Sequence, residues 1–328
     1  MRGEIDLAQR LDTDLLLLSR QRNDSAGLVL GHLCAGQTQM YAGRFASSRS
    51  HLEELLATYD PNSHRSLVHQ AAQYPHVNAR AHLGIVLFCL GFPQQALAQG
   101  YEAIAEARRL AHPPSLAANL APGARLLSLY GDDAVLSEWT DELVAVTNEQ
   151  GFALWCALGT IFCGWVKVKE DVVSEGISLL RSGSAAYRAT GAELYMPYHV
   201  ALLAAACEIA GQNEEAVTLL DEALQIVDRT GERWFAAELY RHKGQLMLSQ
   251  GHAEAAETLY RKALSIARDQ EAKLWELRAA ASLARLWRDQ GRRGDARDLV
   301  VPVYNWFTEG FDTPDLKQAK ALLDKFDA

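Results

Sequence analysis

The chain has 328 residues, of which 49% are hydrophobic and 22% charged, as is typical of a folded protein. Its net charge of -9 argues against a general nucleic-acid binder, because such proteins carry a basic surface. No apolar run approaches the ~18 residues of a membrane span, no signal-peptide pattern opens the chain, and the five cysteines are widely spaced. We therefore expect a cytoplasmic protein with reduced thiols and no membrane contact.

Apolar residues recur at helical spacing along almost the whole chain, beginning with Leu7, Leu11 and Leu15. Glycine, proline and aspartate residues interrupt this pattern at short intervals, as they do at helix ends. The predicted helices span residues 4–21, 28–42, 44–59, 76–90, 94–110, 114–130, 133–150, 152–168, 172–189, 192–210, 213–230, 232–250, 253–269, 272–290 and 294–309. The segment 61–74, rich in His, Ser and Asn, is predicted as a loop. Sustained alternation typical of strands is absent from the sequence, so we expect an all-α fold.

A 40-residue register runs through the chain from Gly91 onward, and it is clearest at Gly211, Gly251 and Gly291. Small residues recur in it at Gly84, Ala124, Gly164, Ala204, Gly244 and Ala284, and twelve positions further on at Ala96, Gly176, Ala216, Ala256 and Ala296. Aromatic residues recur at Trp155, Tyr195, Phe235 and Trp275. Two helices approach to about 8 Å only where a small side chain lies at the crossing. The aromatic side chain then fills the wedge between neighbouring helix pairs.

The spacing of the small residues resembles the tetratricopeptide repeat, a helix-turn-helix unit, although that unit usually has about 34 residues. The resemblance implies a right-handed α-solenoid of helix pairs, with its repeats over residues 28–310. Residues 311–328, where Thr313 and Pro314 provide a helix start, are expected to form a C-terminal capping helix. Residues 1–27 are expected to be the trailing helix of an incomplete pair. Because this end lacks a cap, we expect a fragment of a longer chain, or an edge covered by another protein or by a second copy.

Three segments in the C-terminal part of the chain, 230–241, 276–287 and 306–316, show a narrower resemblance. They are similar to the C-terminal helical-repeat region of bacterial signalling proteins that carry a class III nucleotide cyclase domain and a signal-transducing ATPase upstream. The resemblance implies a regulatory or sensory part of such a protein, with an ATPase or cyclase attached in the full-length form. The chain itself matches neither of those domains.

An enzyme site cannot be assembled from the sequence. Gly31 and Gly36 have the spacing of a phosphate-binding loop, but Gln37 replaces the lysine and no strand precedes them. The histidines from His64 to His82 are too dispersed for the three or four ligands of a zinc site, and solvated loop histidines are the simpler interpretation. No nucleophile is paired with a base. We therefore expect a protein without catalytic activity, cofactor or metal.

The concave face is the strongest candidate for a binding site, because a fixed set of first-helix positions faces the groove in tetratricopeptide repeats. By this register the candidates are Arg241, Arg278, Arg285 and Arg288 near the C-terminal end, with Arg125, Trp165 and Tyr198 farther in. The arginines would hold a protein or an acidic peptide through its carboxylates. One alternative is that they pair with Glu238 and Asp289 of their own helices. Another is a small ligand between Trp165 and Tyr198, as in repeat-containing transcription regulators.

Overall fold

The computed structural model describes residues 3–327, and the regular structure in that range is entirely helical, as the sequence predicted. The helices are α1 (Ile5–Gln21), α2 (Ser25–Tyr41), α3 (Phe45–Thr58), α4 (Pro61–His64), a 3-10 turn (Arg65–Leu67), α5 (Val68–Ala71), α6 (Pro75–Leu90), α7 (Pro93–Arg109), α8 (Pro113–Tyr130), α9 (Asp133–Gln150), α10 (Ala153–Lys169), α11 (Val173–Ala189), α12 (Met196–Ile209), α13 (Asn213–Thr230), α14 (Ala236–Ser249), α15 (Ala253–Asp269), α16 (Lys273–Asp289), α17 (Arg293–Tyr304) and α18 (Pro314–Asp327). Within residues 3–327, no helix combines the length and the apolar character needed to cross a bilayer.

The segment 61–74, whose composition indicates a longer loop or an irregular turn, is largely helical. It forms three short helical turns, and it ends at Ala72 in a left-handed conformation with φ of 56°. His64 is buried there, and both of its ring nitrogens have hydrogen-bond partners. Its Nδ1 accepts a hydrogen bond from the Asp60 N–H at 3.0 Å, and its Nε2 shares one with the Ser25 hydroxyl at 3.0 Å. The interpretation of His64 as a solvated loop histidine is therefore wrong. The polar composition of this segment did not indicate that His64 has these two hydrogen-bond partners.

Two first helices begin later than predicted: α12 begins at Met196 rather than 192, and α14 at Ala236 rather than 232. The residues before each helix form a non-helical turn, and Tyr195 has a positive φ of 68°. The buried Glu232 carboxylate holds both turns, because it accepts hydrogen bonds from the Tyr195 N–H at 2.9 Å and from the Trp234 indole at 2.8 Å. Helical periodicity alone did not distinguish these turns from a first helical turn.

Small residues of the 40-residue register lie where paired helices cross. A Cβ atom on Gly164 of α10 would lie 2.8 Å from the carbonyl oxygen of Gly176 on α11, closer than such atoms normally approach. Ala124, Ala204 and Ala284 occupy the equivalent positions in other pairs and are fully buried. At these crossings the two helices thus touch through backbone atoms. A larger side chain at these positions would push the two helices apart.

Aromatic residues fill the wedges between successive pairs. The Phe235 and Trp275 rings meet edge to face with centroids 5.7 Å apart, and Tyr195 meets Trp234 in the same way at 5.9 Å. The Trp275 indole also donates a hydrogen bond to the Trp234 carbonyl oxygen at 3.2 Å. Edge-to-face geometry is favourable for aromatic pairs. These rings therefore fix the angle between neighbouring repeats.

The solenoid coils so tightly that its N-terminal and C-terminal halves touch. The Tyr41 carbonyl oxygen at the end of α2 accepts hydrogen bonds from the backbone N–H groups of Arg233 at 2.7 Å and Trp234 at 3.2 Å. The Glu309 carboxylate accepts hydrogen bonds from the Gln94 and Gln95 N–H groups at 2.9 and 3.1 Å. Because the first N–H groups of a helix have no intrahelical partner, Glu309 caps α7 from the opposite end of the chain. The chain itself therefore encloses the concave side.

The two ends of the described chain differ in how well they are covered. Leu316, Ala319 and Leu322 of α18 are buried against the preceding helices. In α1, by contrast, Leu11 is 58% exposed and Leu17 is 52% exposed. The α1 helix packs on α2. Its outer face carries an unpaired leucine surface.

The close crossing at Gly164 leads to a stability prediction. Gly164→Ala should lower the free energy of unfolding by about 1–3 kcal/mol, because the added methyl group meets backbone atoms that cannot move aside. Gly294→Ala in the exposed first turn of α17 is the matched control, since nothing lies within 4 Å of the new Cβ atom. Helix propensity alone should then leave stability unchanged or raise it by up to about 1 kcal/mol. Urea unfolding measures both, and equal effects would contradict the assigned crossing.

The buried Glu232 carboxyl leads to a prediction about pH. Burial raises its pKa to about 7, against the hydrogen bonds from Trp234 and Tyr195 and the positive charge of Arg125. The folded state therefore binds this proton more tightly than the unfolded state. Stability should fall as pH rises from about 4.5 toward 7, with a slope of at most about 1.4 kcal/mol per pH unit from this group. Thermal unfolding across this range should show a shallower decline for Glu232→Gln than for the parent protein, and identical slopes would contradict the assignment.

Candidate binding sites on the concave face

Four first helices, α2, α6, α8 and α10, surround an inner cavity of about 200 Å³ on the concave side. Its lining combines carboxamide, imidazole, guanidinium and aromatic groups with small apolar residues: Gln37, Tyr41, Gln73, Asn78, His82, Ala118, Ala121, Pro122, Arg125, Leu154, Trp155, Leu158 and Tyr195. Ala118 helps to leave this space, because the equivalent positions of other first helices carry larger side chains, such as Leu158 and Tyr198. The volume suits one side chain, a peptide end or a small molecule.

Arg125 forms one wall of the inner cavity and is only 1% exposed. Its guanidinium carbon lies 3.5 Å from the Tyr195 ring centroid and 5.7 Å from that of Tyr198, so its flat face stacks on aromatic rings. Its Nε and Nη2 atoms have no hydrogen-bond partner. A buried charge without an ion-pair partner carries a desolvation cost on the order of several kcal/mol. The cation–π contacts offset only part of that cost.

The ionisable groups around Arg125 do not neutralise it. Burial lowers the pKa of His82 to about 4, and burial followed by the charge of Arg125 lowers that of His199 well below its ordinary value. Both imidazoles are therefore neutral near pH 7. Burial raises the pKa of Glu232 and leaves this carboxyl partly protonated, although the positive charge of Arg125 lowers the pKa. The Glu232 oxygens accept hydrogen bonds from other groups. This part of the interior therefore carries an excess of positive charge.

The opposite wall of the cavity is a chain of polar side chains bonded to one another. The Gln37 amide donates a hydrogen bond to the Asn78 Oδ1 at 2.6 Å, and the Asn78 amide donates to Gln73 Oε1 at 3.1 Å. Pro122 interrupts α8 on the remaining side and has no N–H to offer the carbonyl group of Ala118 four residues earlier. The carboxamide groups and the guanidinium are groups that could recognise a polar ligand.

Three of the predicted groove arginines lie together, around a second cavity of about 190 Å³ between α14, α16 and α18. Arg278 is fully engaged: it grips Asp315 of α18 through Nε and Nη2, both at 2.8 Å, and donates to Glu238 at 3.1 Å and to the Leu129 carbonyl oxygen at 2.8 Å. Arg241 binds the same Glu238 at 2.7 Å. Burial opposes the charge of Glu238, but the two arginines outweigh it and lower its pKa. Arg278 is thus a structural link between the cap, α14 and α8.

Arg285 and Arg288 are less tightly held than Arg278. Arg285 reaches only Gln318 Oε1, at 3.4 Å, and its pKa is lowered by burial and by the charges of Arg241 and Arg288. Arg288 bonds to its neighbour Asp289 at 2.8 Å. Of the groove arginines in this cluster, Arg285 therefore has the guanidinium most available to an incoming anion.

Trp165 and Tyr198 differ in their surroundings. Tyr198 is buried and hydrogen-bonded to the Ser128 hydroxyl. Trp165 is half-buried, with the Lys169 ammonium 5.6 Å from its ring. Neither residue lines the inner cavity.

The 40-residue register of the sequence could have identified several residues that line the inner cavity. Asn78, Ala118 and Leu158 are 40 residues apart, and they continue backward the series that contains Tyr198, Glu238 and Arg278. Glu232 and His199 carried no such signal, because their importance comes from burial beside Arg125 and not from their place in the repeat.

The other surface features include a large open hollow, whose charged side chains already form ion pairs. An open hollow of about 770 Å³ between α11 and α13 contains the ion pairs Arg188–Glu222 and Arg229–Glu193, whose charges cancel. Across residues 3–327, no three His, Cys, Asp or Glu side chains come together as metal ligands would. The inner cavity differs from this hollow because it is lined by an arginine whose Nε and Nη2 atoms have no hydrogen-bond partner.

Sequence comparison places this architecture among known repeats. Residues 196–269 match the family model of the tetratricopeptide repeat. An uncharacterised protein, R02095 of Rhizobium meliloti (strain 1021), is 24% identical over 273 residues, which cover 82% of this chain and 26% of that protein. The chain thus spans about a quarter of the length of this relative.

Solved structures with the same arrangement of helices include two Rap proteins. A Rap protein complexed with Competence and Sporulation Factor has a TM-score of 0.60 at 15% identity, with 91% of this chain and 80% of that one covered. The Rap conjugation gene regulator of plasmid pLS20, in complex with the Phr* peptide, has a TM-score of 0.59 at 11% identity, with 94% and 77% covered. Cut9 in the APC/C Cut9–Hcn1 hetero-tetramer has a TM-score of 0.57 at 12% identity, with 99% and 53% covered. The family model and these structures together support a tetratricopeptide-repeat fold for this chain.

Proposed function

We propose that this chain is a non-catalytic interaction scaffold that takes up a peptide segment on its concave face. The observation that carries the proposal is the inner cavity, in which side chains from four successive first helices converge on one partly open space. A peptide end or side chain placed there would contact all of these helices at once. Binding would therefore fix the angles between repeats and could be transmitted along the solenoid.

Two structural neighbours favour a peptide as the occupant. The Rap structures are described as complexes with Competence and Sporulation Factor and with the Phr* peptide. Their likeness to this chain is one of fold, at 15% and 11% identity. The polar wall of Gln37 and Asn78 is suited to peptide backbone groups. A peptide is thus the ligand class that best fits both the fold and the lining.

The arginines near the C-terminal cap are proposed as a second contact for an acidic partner. Arg285 is the member of this cluster with the weakest internal partner. Arg241, Arg278 and Arg288 would contribute mainly by positive potential, because carboxylates already occupy their hydrogen-bonding edges. An acidic peptide that runs from the inner cavity toward α18 would meet both sites.

We further propose that the scaffold acts as a regulatory part of a signalling ATPase or cyclase. Support comes from the resemblance in segments 230–241, 276–287 and 306–316, and from the greater length of R02095. The exposed leucines of α1 offer a surface on which a preceding domain or a second copy could pack. The reading frame around the coding sequence tests this context, and a frame without either domain would contradict it.

A small-molecule sensor is the second candidate function. The observation in its favour is the size of the inner cavity, which at about 200 Å³ holds far less than a folded peptide segment. In this case the ligand lies beside Arg125 and Trp155, not between Trp165 and Tyr198. The two functions share a site and differ in what occupies it.

Selection from a displayed peptide library tests the proposed function. Peptides enriched on the full chain should bind Ala118→Leu at least tenfold more weakly if the inner cavity anchors them, because the larger side chain fills the space. They should bind Arg285→Glu more weakly if the cap cluster contributes. Arg109→Glu, on an exposed convex helix, controls for the change of charge. No enrichment on the parent protein, or binding unaffected by both concave variants, would contradict peptide uptake on this face.

A further inference from the structure

The charge of Arg125 identifies the kind of group that the inner cavity should bind. In four other arginines of this protein, Arg108, Arg109, Arg241 and Arg278, the Nε and Nη2 atoms together grip one carboxylate. The same two atoms of Arg125 have no partner at all. This edge of a guanidinium matches two oxygens of a carboxylate or phosphate. Arg125 is thus an oxyanion-binding group without its oxyanion.

The surroundings of Arg125 favour an anion over any other ligand. The nearest imidazoles, His82 and His199, are neutral, so they neither compensate the guanidinium nor repel a second cation strongly. Both ring nitrogens of His199 also lack hydrogen-bond partners. An entering oxyanion would remove the cost of the unpaired charge, and in a low-dielectric site that pairing is strong. A neutral apolar ligand would leave the cost in place.

The space beside Arg125 is created by the sequence of α8. Ala118 and Ala121 line the cavity from this helix, about two turns and one turn before the arginine, respectively. Larger side chains at these positions would fill the space and leave Arg125 in a closed core. The unpartnered arginine and the space next to it therefore occur together on one helix. That conjunction is what an internal binding site requires.

We propose that the inner cavity binds an oxyanion group of its ligand, a carboxylate or a phosphate, and that the Arg125 guanidinium pairs with it. The proposal deepens the proposed function, on which it rests for the location of the ligand. The Nε and Nη2 atoms are enclosed in the free protein, so the guanidinium turns from the Tyr195 ring toward the cavity as the ligand enters. A peptide carboxylate and a free small anion present the same chemistry to Arg125.

Thermal unfolding of the full chain at constant ionic strength tests the proposal, with chloride replaced by acetate or by inorganic phosphate. We expect the Tm of the parent protein to rise by roughly 2–4 °C in at least one of these anions relative to chloride. A rise in acetate alone indicates a carboxylate ligand, and a rise in phosphate alone indicates a phosphate. Arg125→Met, which keeps the side-chain length without the charge, should lose the response. Arg109→Met, an exposed control, should keep it.

The Tm of Arg125→Met in chloride separates a binding role from a structural one. If Arg125 awaits an anion, the variant should be at least as stable as the parent, because an unpaired buried charge has been removed. A lower Tm in chloride, together with no anion response in the parent, would overturn the proposal. If Arg125→Met does not fold, Ala118→Leu carries the test, since it blocks the cavity and leaves the arginine in place. An equal response in the parent and in Ala118→Leu would also overturn it.

The outcomes also separate this inference from the proposed function. If the parent protein selects peptides but its Tm does not rise in acetate or phosphate, the scaffold proposal stands and the oxyanion proposal is wrong. If the Tm rises in one of these anions only when Arg125 is present, and no peptide is selected, the oxyanion proposal is supported and peptide uptake is contradicted. The cavity would then belong to a receptor for a small anion.

Discussion

The contact between the two halves of the coil is the constraint on which the rest of this structure depends. In an open solenoid each repeat touches only its neighbours, and the concave face is left to solvent and to ligands. Here the Tyr41 carbonyl group receives two backbone hydrogen bonds from the turn before α14, and Glu309 caps α7. Residues that a repeat pattern assigns to an open groove are therefore buried against another part of the same chain. This closure decides which of them remain available for binding.

Closure divides the groove arginines into two kinds. Arg278 is used to hold the coil together, since it joins Asp315 of the cap, Glu238 of α14 and the end of α8. Its charge is matched by carboxylates, so a buried network is formed in which each charge has its partner. Arg125 also lies on a first helix of the concave side, but its guanidinium stacks on aromatic rings and its Nε and Nη2 atoms have no hydrogen-bond partner. The same residue type is thus structural at one position and unsatisfied at the other.

The sequence predicted the helices, the small residues at their crossings and the aromatic wedges, because these depend on neighbours within about one repeat. It did not predict the late starts of α12 and α14, the burial of His64 or the partners of Arg278. Each of these depends on a residue far away in the chain or on a turn whose composition resembles a helix. The register indicates which side of a helix faces inward, but not what lies opposite. For that reason the sequence named both Arg125 and Arg278 as groove candidates without indicating how different their surroundings are.

The inner cavity and the contact that closes the coil share residues. Arg125 stacks on the Tyr195 ring, the Tyr195 N–H is held by Glu232, and Glu232 belongs to the turn that binds Tyr41. The Tyr41 and Tyr195 rings also meet edge to face with centroids 5.2 Å apart. Any group that draws the guanidinium away from Tyr195 must therefore alter the packing of the turn on which closure depends. A site located at this joint is coupled to the shape of the whole coil by direct contact, without a longer path through the repeats.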